Sequence, residues 1–93
     1  MIRHTVLMRF TDAGAAPEVK SRLEGLLGVV PELLTIQVDL DVLRTDASYD
    51  LALTSTHTDL AGLAAYQQHP AHVEFIQWLK PQLAARAAVD AEL

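Results

Sequence analysis

From Ile2 to Phe10 the chain alternates without a break: Ile2, His4, Val6, Met8 and Phe10 fall on one register, Arg3, Thr5, Leu7 and Arg9 on the other. A backbone whose successive side chains point to opposite faces is a strand, and this one carries a strongly apolar face. His4 is the polar residue on that face. A buried imidazole needs a hydrogen-bonding partner, so it either fixes the strand against a neighbour or borders a cavity where ligand or water supplies one.

The rest of the chain supplies further strands and helices in a definite order. Pro17 opens a helix in which Val19, Leu23, Leu26, Leu27 and Val30 recur at helical spacing, and Gly28 and Pro31 mark its end. Ile36, Val38, Leu40 and Val42 alternate with Thr35, Gln37, Asp39 and Asp41 as a half-exposed strand, whose regular acids discourage unwanted edge pairing. Arg44 to Ser48 is a polar connection to a third strand, Tyr49 to Thr56, with Tyr49, Leu51, Leu53 and Ser55 on one face.

Thr58 or Asp59 caps a second helix, striped by Leu60, Leu63, Ala64 and Gln67, that runs to a break at His69-Pro70. A further helical segment starts near Ala71, with His72, Phe75, Ile76 and Leu79 along one side. The final segment carries two signals. Its alanines favour helix, but Ala87, Val89, Ala91 and Leu93 alternate with Ala88, Asp90 and Glu92 as a strand would. A strand is the better reading, because it completes a split βαβ sandwich in the order strand, helix, strand, strand, helix, strand. Residues 1–93 form one α+β domain with no internal repeat or linker.

Charge and composition exclude several classes of function. The net charge is −5 and the basic residues never cluster, which argues against nucleic acid, whose non-specific binding depends on concentrated positive charge. There is no cysteine, and so no disulfide framework, thiol nucleophile or thiolate metal site. The apolar runs are far shorter than the roughly 18 residues of a membrane span, and no secretory apolar region follows the charged start, so no membrane partner and a cytoplasmic location are expected. Only 5% of residues are aromatic, leaving a thin aliphatic core that gains from burying a second surface in a homodimer.

Chemistry concentrates between Tyr66 and Phe75, where Tyr66, His69 and His72 surround Pro70. Imidazole and phenol are groups that move protons or hold a polar ligand, and a proline there re-aims the helix. His72 suits a general base, with Tyr66 donating a hydrogen bond to a carbonyl or developing enolate. The alternative is structural: His72 buttresses the break and Tyr66 packs its ring. His69 and His72 share a helical face only if Pro70 allows it, and with no cysteine or well-spaced carboxylate in the motif no metal site is expected. His57 reads as a turn or surface residue, Trp78 as core packing, and Asp50 as a group that satisfies neighbouring backbone or pairs with an arginine. No Gly-rich dinucleotide fingerprint is present, so no cofactor is expected.

Ile2-Arg3-His4-Thr5-Val6, Val30-Pro31, Tyr49-Asp50-Leu51, Tyr66 with His69-Pro70-Ala71-His72, and Val89-Asp90 together resemble the stress-responsive A/B barrel, or Dabb, family of dimeric α+β barrel proteins. The match spans nearly the whole chain. The resemblance implies a ferredoxin-like monomer, a four-stranded antiparallel sheet with two helical regions on one face, whose sheet packs on its partner's to close a barrel. Arg3, Thr5, Leu7 and Arg9 would then face the dimer interior. It also implies a small cavity between sheet and helices that takes a small apolar or aromatic molecule. His4, Val6, Met8, Val19, Leu23, Leu53 and His69 would bind substrate there, and Tyr66 and His72 match positions that a plant polyketide cyclase of similar pattern uses for acid/base chemistry. That pattern has a histidine where this chain has Leu51, which removes one polar group from the implied site.

Three functions fit these residues. The first is a cofactor-independent cyclase or isomerase acting on a carbonyl-bearing apolar compound. The second is a non-catalytic, stress-associated ligand-binding or dimerisation module. A cofactor-independent monooxygenase is the third, since oxygen chemistry is known among proteins that resemble this wider fold.

Overall fold

A computed structural model describes residues 1–93. The chain runs β1 (Ile2–Phe10), a 3-10 turn (Ala13–Ala15), α1 (Ala16–Glu24), β2 (Thr35–Leu40), β3 (Leu51–His57), α2 (Leu60–Gln68), α3 (Pro70–Leu79), a second 3-10 turn (Lys80–Gln82) and β4 (Leu83–Glu92). The strands form one sheet in the order β2-β3-β1-β4, each neighbouring pair antiparallel. This is the split βαβ sandwich with ferredoxin-like topology.

β1 alternates buried and less buried residues along its whole length, as its sequence requires. Ile2, Val6, Met8 and Phe10 join Leu51 and Leu53 of β3, Val19 and Leu23 of α1, Leu63 and Tyr66 of α2, and Phe75 and Leu79 of α3 in one hydrophobic core, with His4 buried as the polar residue of that face. The helices therefore cover a single face of the sheet. β4 is a strand despite its alanines because it pairs with β1 from Ile2↔Glu92 to Phe10↔Leu83, and a ladder of that length outweighs local helix propensity. The register shifts between Arg9 and Phe10.

Several boundaries differ from the sequence pattern: β2 ends at Leu40, leaving Val42 exposed rather than on the apolar face, and β4 begins at Leu83, ahead of the alternation that starts at Ala87. α1 ends at Glu24 rather than continuing to Val30, because the chain turns at Gly25 and again at Gly28, whose φ of +87° favours glycine. Leu26, Val30 and Leu33 are still buried, so consecutive turns place them in the core that a longer helix would have served. β3 starts at Leu51, two residues after Tyr49. Asp50 keeps backbone bonds on both sides, its N–H donating to the Met8 carbonyl at 2.8 Å and its carbonyl accepting from Asp41 N–H at 3.0 Å, while its carboxylate accepts from the Phe10 backbone N–H at 2.8 Å and from Arg44 Nη1 at 3.2 Å. Tyr49 lies under the Arg9 guanidinium, 4.6 Å from ring centroid to Cζ.

The second helical region divides at His69-Pro70. Asp59 caps α2, its carboxylate accepting from Gly62 N at 2.7 Å. His69 is extended and caps α3, its Nδ1 accepting from Ala71 N at 3.1 Å, and Pro70 fills a first-turn position that needs no N–H. The axis can thus change direction at this junction while the backbone stays bonded.

The opposite face of the sheet carries no helix. Down its middle run Leu7 beside Ala52 and Ala87, and Thr5 beside Thr54 and Val89. Leu7 and Val89 are 38% and 68% exposed. Arg3, Thr5, Leu7 and Arg9 do lie on this uncovered side.

Candidate active site

Between the sheet and the helices lies a cavity of about 40 Å³. Its floor is His4, Val6 and Met8 of β1 with Leu53 of β3, and Tyr66, His72, Phe75 and Ile76 of α2 and α3 cover it. Leu23, Gln67 and Arg86 complete the wall. The β1–β3 register explains the floor, since Val6 lies opposite Leu53 and His4 opposite Ser55, all on the covered face.

The break at Pro70 explains the roof. Tyr66 is in the last turn of α2 and His72 in the first turn of α3, yet their ring centroids are 4.5 Å apart. Tyr66 is fully buried, and its hydroxyl has no hydrogen-bonding partner within the protein. Leaving a buried hydroxyl unpaired is unfavourable by about 1–3 kcal/mol, and such groups mark sites that a ligand or water completes. Burial pushes the Tyr66 phenol up to about 12, so the hydroxyl keeps its proton across the physiological range and can only donate or accept a hydrogen bond.

His72 Nδ1 lies 3.1 Å from the Gln67 carbonyl, an acceptor only, so Nδ1 carries the proton. That tautomer leaves Nε2 as the basic nitrogen. Burial is the main influence holding the His72 imidazole below its ordinary value of 6.5. The Gln67 carbonyl opposes it, and positive charge on His4, Arg86 and His57 adds to it. His72 is therefore neutral at pH 7 and able to accept a proton.

His4 is buried and its Nδ1 pairs with Oδ1 of Asp90, its neighbour in the β1–β4 register. The pair fixes the ring across two strands and leaves His4 Nε2 as the unbonded nitrogen.

His57 is fully buried, which corrects its reading as a turn or surface residue. Its Nδ1 donates to the Glu32 carbonyl at 2.8 Å, and its Nε2, 2.9 Å from Ser55 Oγ, accepts that hydroxyl's proton. With both nitrogens occupied it is a strut, held below 6.5 chiefly by burial. Its ring centroid is 4.8 Å from that of Tyr66, so Tyr66 is held between His57 and His72. The signal was present in the sequence, since His57 continues the register of Leu51, Leu53 and Ser55.

The structure brings His4, Val6, Met8, Leu23, Leu53, Tyr66 and His72 to one cavity. Val19 is completely buried in the core and is not among the cavity's lining residues. His69 is likewise absent from the lining, its ring being engaged in capping α3. Trp78 stacks under the Arg22 guanidinium at 4.1 Å and packs at the margin of the core. Gln67 and Arg86 were not apparent as site residues from the sequence. No three His, Asp or Glu side chains gather as metal ligands. No helix is long and apolar enough to cross a membrane.

Solved structures with this architecture include a dimeric ferredoxin-like protein of unknown function from Thermobifida fusca, 32% identical, with a TM-score of 0.85 over 99% of this chain and 90% of that one. A dimeric protein of unknown function from Bacteroides fragilis is 25% identical, with a TM-score of 0.88 over 99% and 95%. Hydroxynitrile lyase from Passiflora edulis is 16% identical, with a TM-score of 0.85 over 99% and 92%, a likeness of fold alone. None of the curated proteins matches. The family model described as the stress responsive A/B barrel domain matches residues 2–93. With that span matched from the first strand to the last, the chain belongs to the stress responsive A/B barrel, or Dabb, family.

Proposed function

We propose that the protein is a homodimeric, small-molecule-binding protein that performs cofactor-independent acid/base chemistry on a compact carbonyl compound, in the manner of a cyclase or isomerase. The observation that carries this reading is the buried Tyr66 hydroxyl, unpartnered beside a neutral His72 and bordering a cavity that also includes His4. His72 Nε2 takes a proton from the carbon next to the carbonyl. Tyr66 O–H donates to the carbonyl oxygen as negative charge develops there, and His72 then returns the proton to a different atom. The lyase from Passiflora edulis shares only the fold, so the argument rests on this chain's own side chains. The uncovered sheet face and the dimeric description of the Thermobifida fusca and Bacteroides fragilis proteins support pairing through that face.

The test is exchange of the carbonyl-adjacent protons of methyl levulinate into heavy water, followed by NMR. Wild type accelerates the exchange, and Tyr66→Phe and His72→Ala each lower it about 100-fold. An unaccelerated exchange, or equal rates in wild type and both variants, would overturn the catalytic reading.

The size of the cavity favours a second reading. At about 40 Å³ the closed space holds only a few waters, so the catalytic reading requires the side chains at its exposed edge to move aside for a ligand, whereas a dimerisation module with a filled interior requires no such opening. Native mass spectrometry separates the two, because a module retains no small molecule and the binding protein does.

A further inference from the structure

We propose that Arg86 anchors a carboxylate of the substrate at the mouth of the cavity, so that this site selects small ketones bearing a carboxylate. The inference rests on the cavity being a ligand site, and it adds the charge class of the ligand.

Arg86 is the one arginine or lysine lining the cavity. Most other arginines are engaged: Arg9 with Ser48 and Tyr49, Arg22 with Glu18 and Trp78, Arg44 with Asp50. Arg86 makes no ion pair in the chain. The β4 register places it opposite Met8, on the same face as Asp90, which pairs with His4. Of the lining residues Arg86 and Gln67 are exposed, so the cavity's open side lies where these two reach solvent.

An unpaired, solvent-facing guanidinium at the mouth of a largely apolar cavity suits a planar carboxylate, which it can hold with two parallel hydrogen bonds. Asp90 lies four residues along the strand, about 13 Å away at strand spacing. Asp90 is engaged with His4, which leaves Arg86 as the positively charged group on this strand free to meet a ligand. A carboxylate on Arg86 leaves the rest of a short molecule to extend toward Tyr66 and His72. Arg86 is also one of the positive charges that, after burial, hold His72 neutral, so neutralising it makes His72 a stronger base once the ligand is seated.

Levulinate and methyl levulinate, which differ in that charge and in one methyl group, test the proposal. Their dissociation constants are measured by NMR titration of the wild type, Arg86→Leu and Arg86→Lys, with the His72 ring signals followed against pH. Levulinate is expected to bind at least about tenfold more tightly than the ester, a preference lost in Arg86→Leu and partly kept in Arg86→Lys. Levulinate, and not the ester, should raise the pH at which His72 titrates. Equal affinities in wild type, or a preference unchanged by Arg86→Leu, would overturn the anchor while ester binding leaves the cavity reading standing. If neither compound binds, the anchor and the cavity reading fall together. Arg86 is exposed, so both variants are expected to fold, and thermal melting is the check.

Discussion

Tyr66 and His72 sit on different helices with their ring centroids 4.5 Å apart, and the hydroxyl of the one and the basic nitrogen of the other are both without a protein partner. Their proximity is a product of the His69-Pro70 junction. On one continuous helix, residues six apart would be turned well away from each other.

Tyr66→Phe should therefore separate stability from activity. The change removes an unpartnered buried hydroxyl and keeps the ring between His57 and His72, so the midpoint of thermal unfolding is expected to hold or rise. Exchange of methyl levulinate protons should fall about 100-fold in the same protein. A variant that loses stability along with activity would place the hydroxyl in an internal hydrogen bond.

The rate should depend on pH through His72. Its imidazole is held below 6.5, mainly by burial, so the basic form predominates above that value and the rate falls as pH drops through the lowered one. On the alkaline side no second fall is expected from Tyr66 until pH approaches about 12. A pH series of exchange rates checks both limbs.

His57→Ala is expected to destabilise the fold by about 2–4 kcal/mol, because it leaves a void and strips a partner from both the Glu32 carbonyl and Ser55. Urea unfolding at pH 8 measures this. The pH dependence should change too. A buried histidine held below 6.5 binds fewer protons in the folded state than in the unfolded one. Its contribution is complete above 6.5 and is lost as pH falls through the lowered value. Wild type should lose stability across that window more steeply than His57→Ala.

Asp50→Ala should lower stability by about 2–3 kcal/mol, since the Phe10 N–H loses a charged acceptor at a buried position and Arg44 loses its partner. Asp50→Asn should recover part of this. The urea midpoints of the three proteins are the comparison.

Leu7→Glu places a charge in the middle of the uncovered sheet face, next to Ala52 and Ala87. It should convert a dimer to a monomer without changing the covered side, as read by light scattering with far-ultraviolet circular dichroism.

The strands were legible because alternation is a direct readout of a half-covered sheet, and β4 was recoverable from it even against its alanines. The length of α1 was not, since Leu26 and Val30 reach the core equally well through turns at Gly25 and Gly28, and spacing alone does not distinguish the two routes. His57 was misread because it stands at a strand end, where position suggests solvent; the register it shares with Ser55 was the better guide. Arg86 carries no site signal in the sequence for a related reason. A lone arginine among alanines reads as solubility until the β1–β4 pairing sets it beside Met8.

The strand that borders the open side of the cavity is the last in the chain and lies at the margin of the sheet, while His4 is on an interior strand and Tyr66 and His72 are on the helices above. The proposed anchor and the proposed proton-transfer groups thus stand on different pieces of the architecture. On that proposal, a substitution at position 86 re-addresses the site to molecules of a different charge and at the same time resets the basicity of His72, which feels the Arg86 charge.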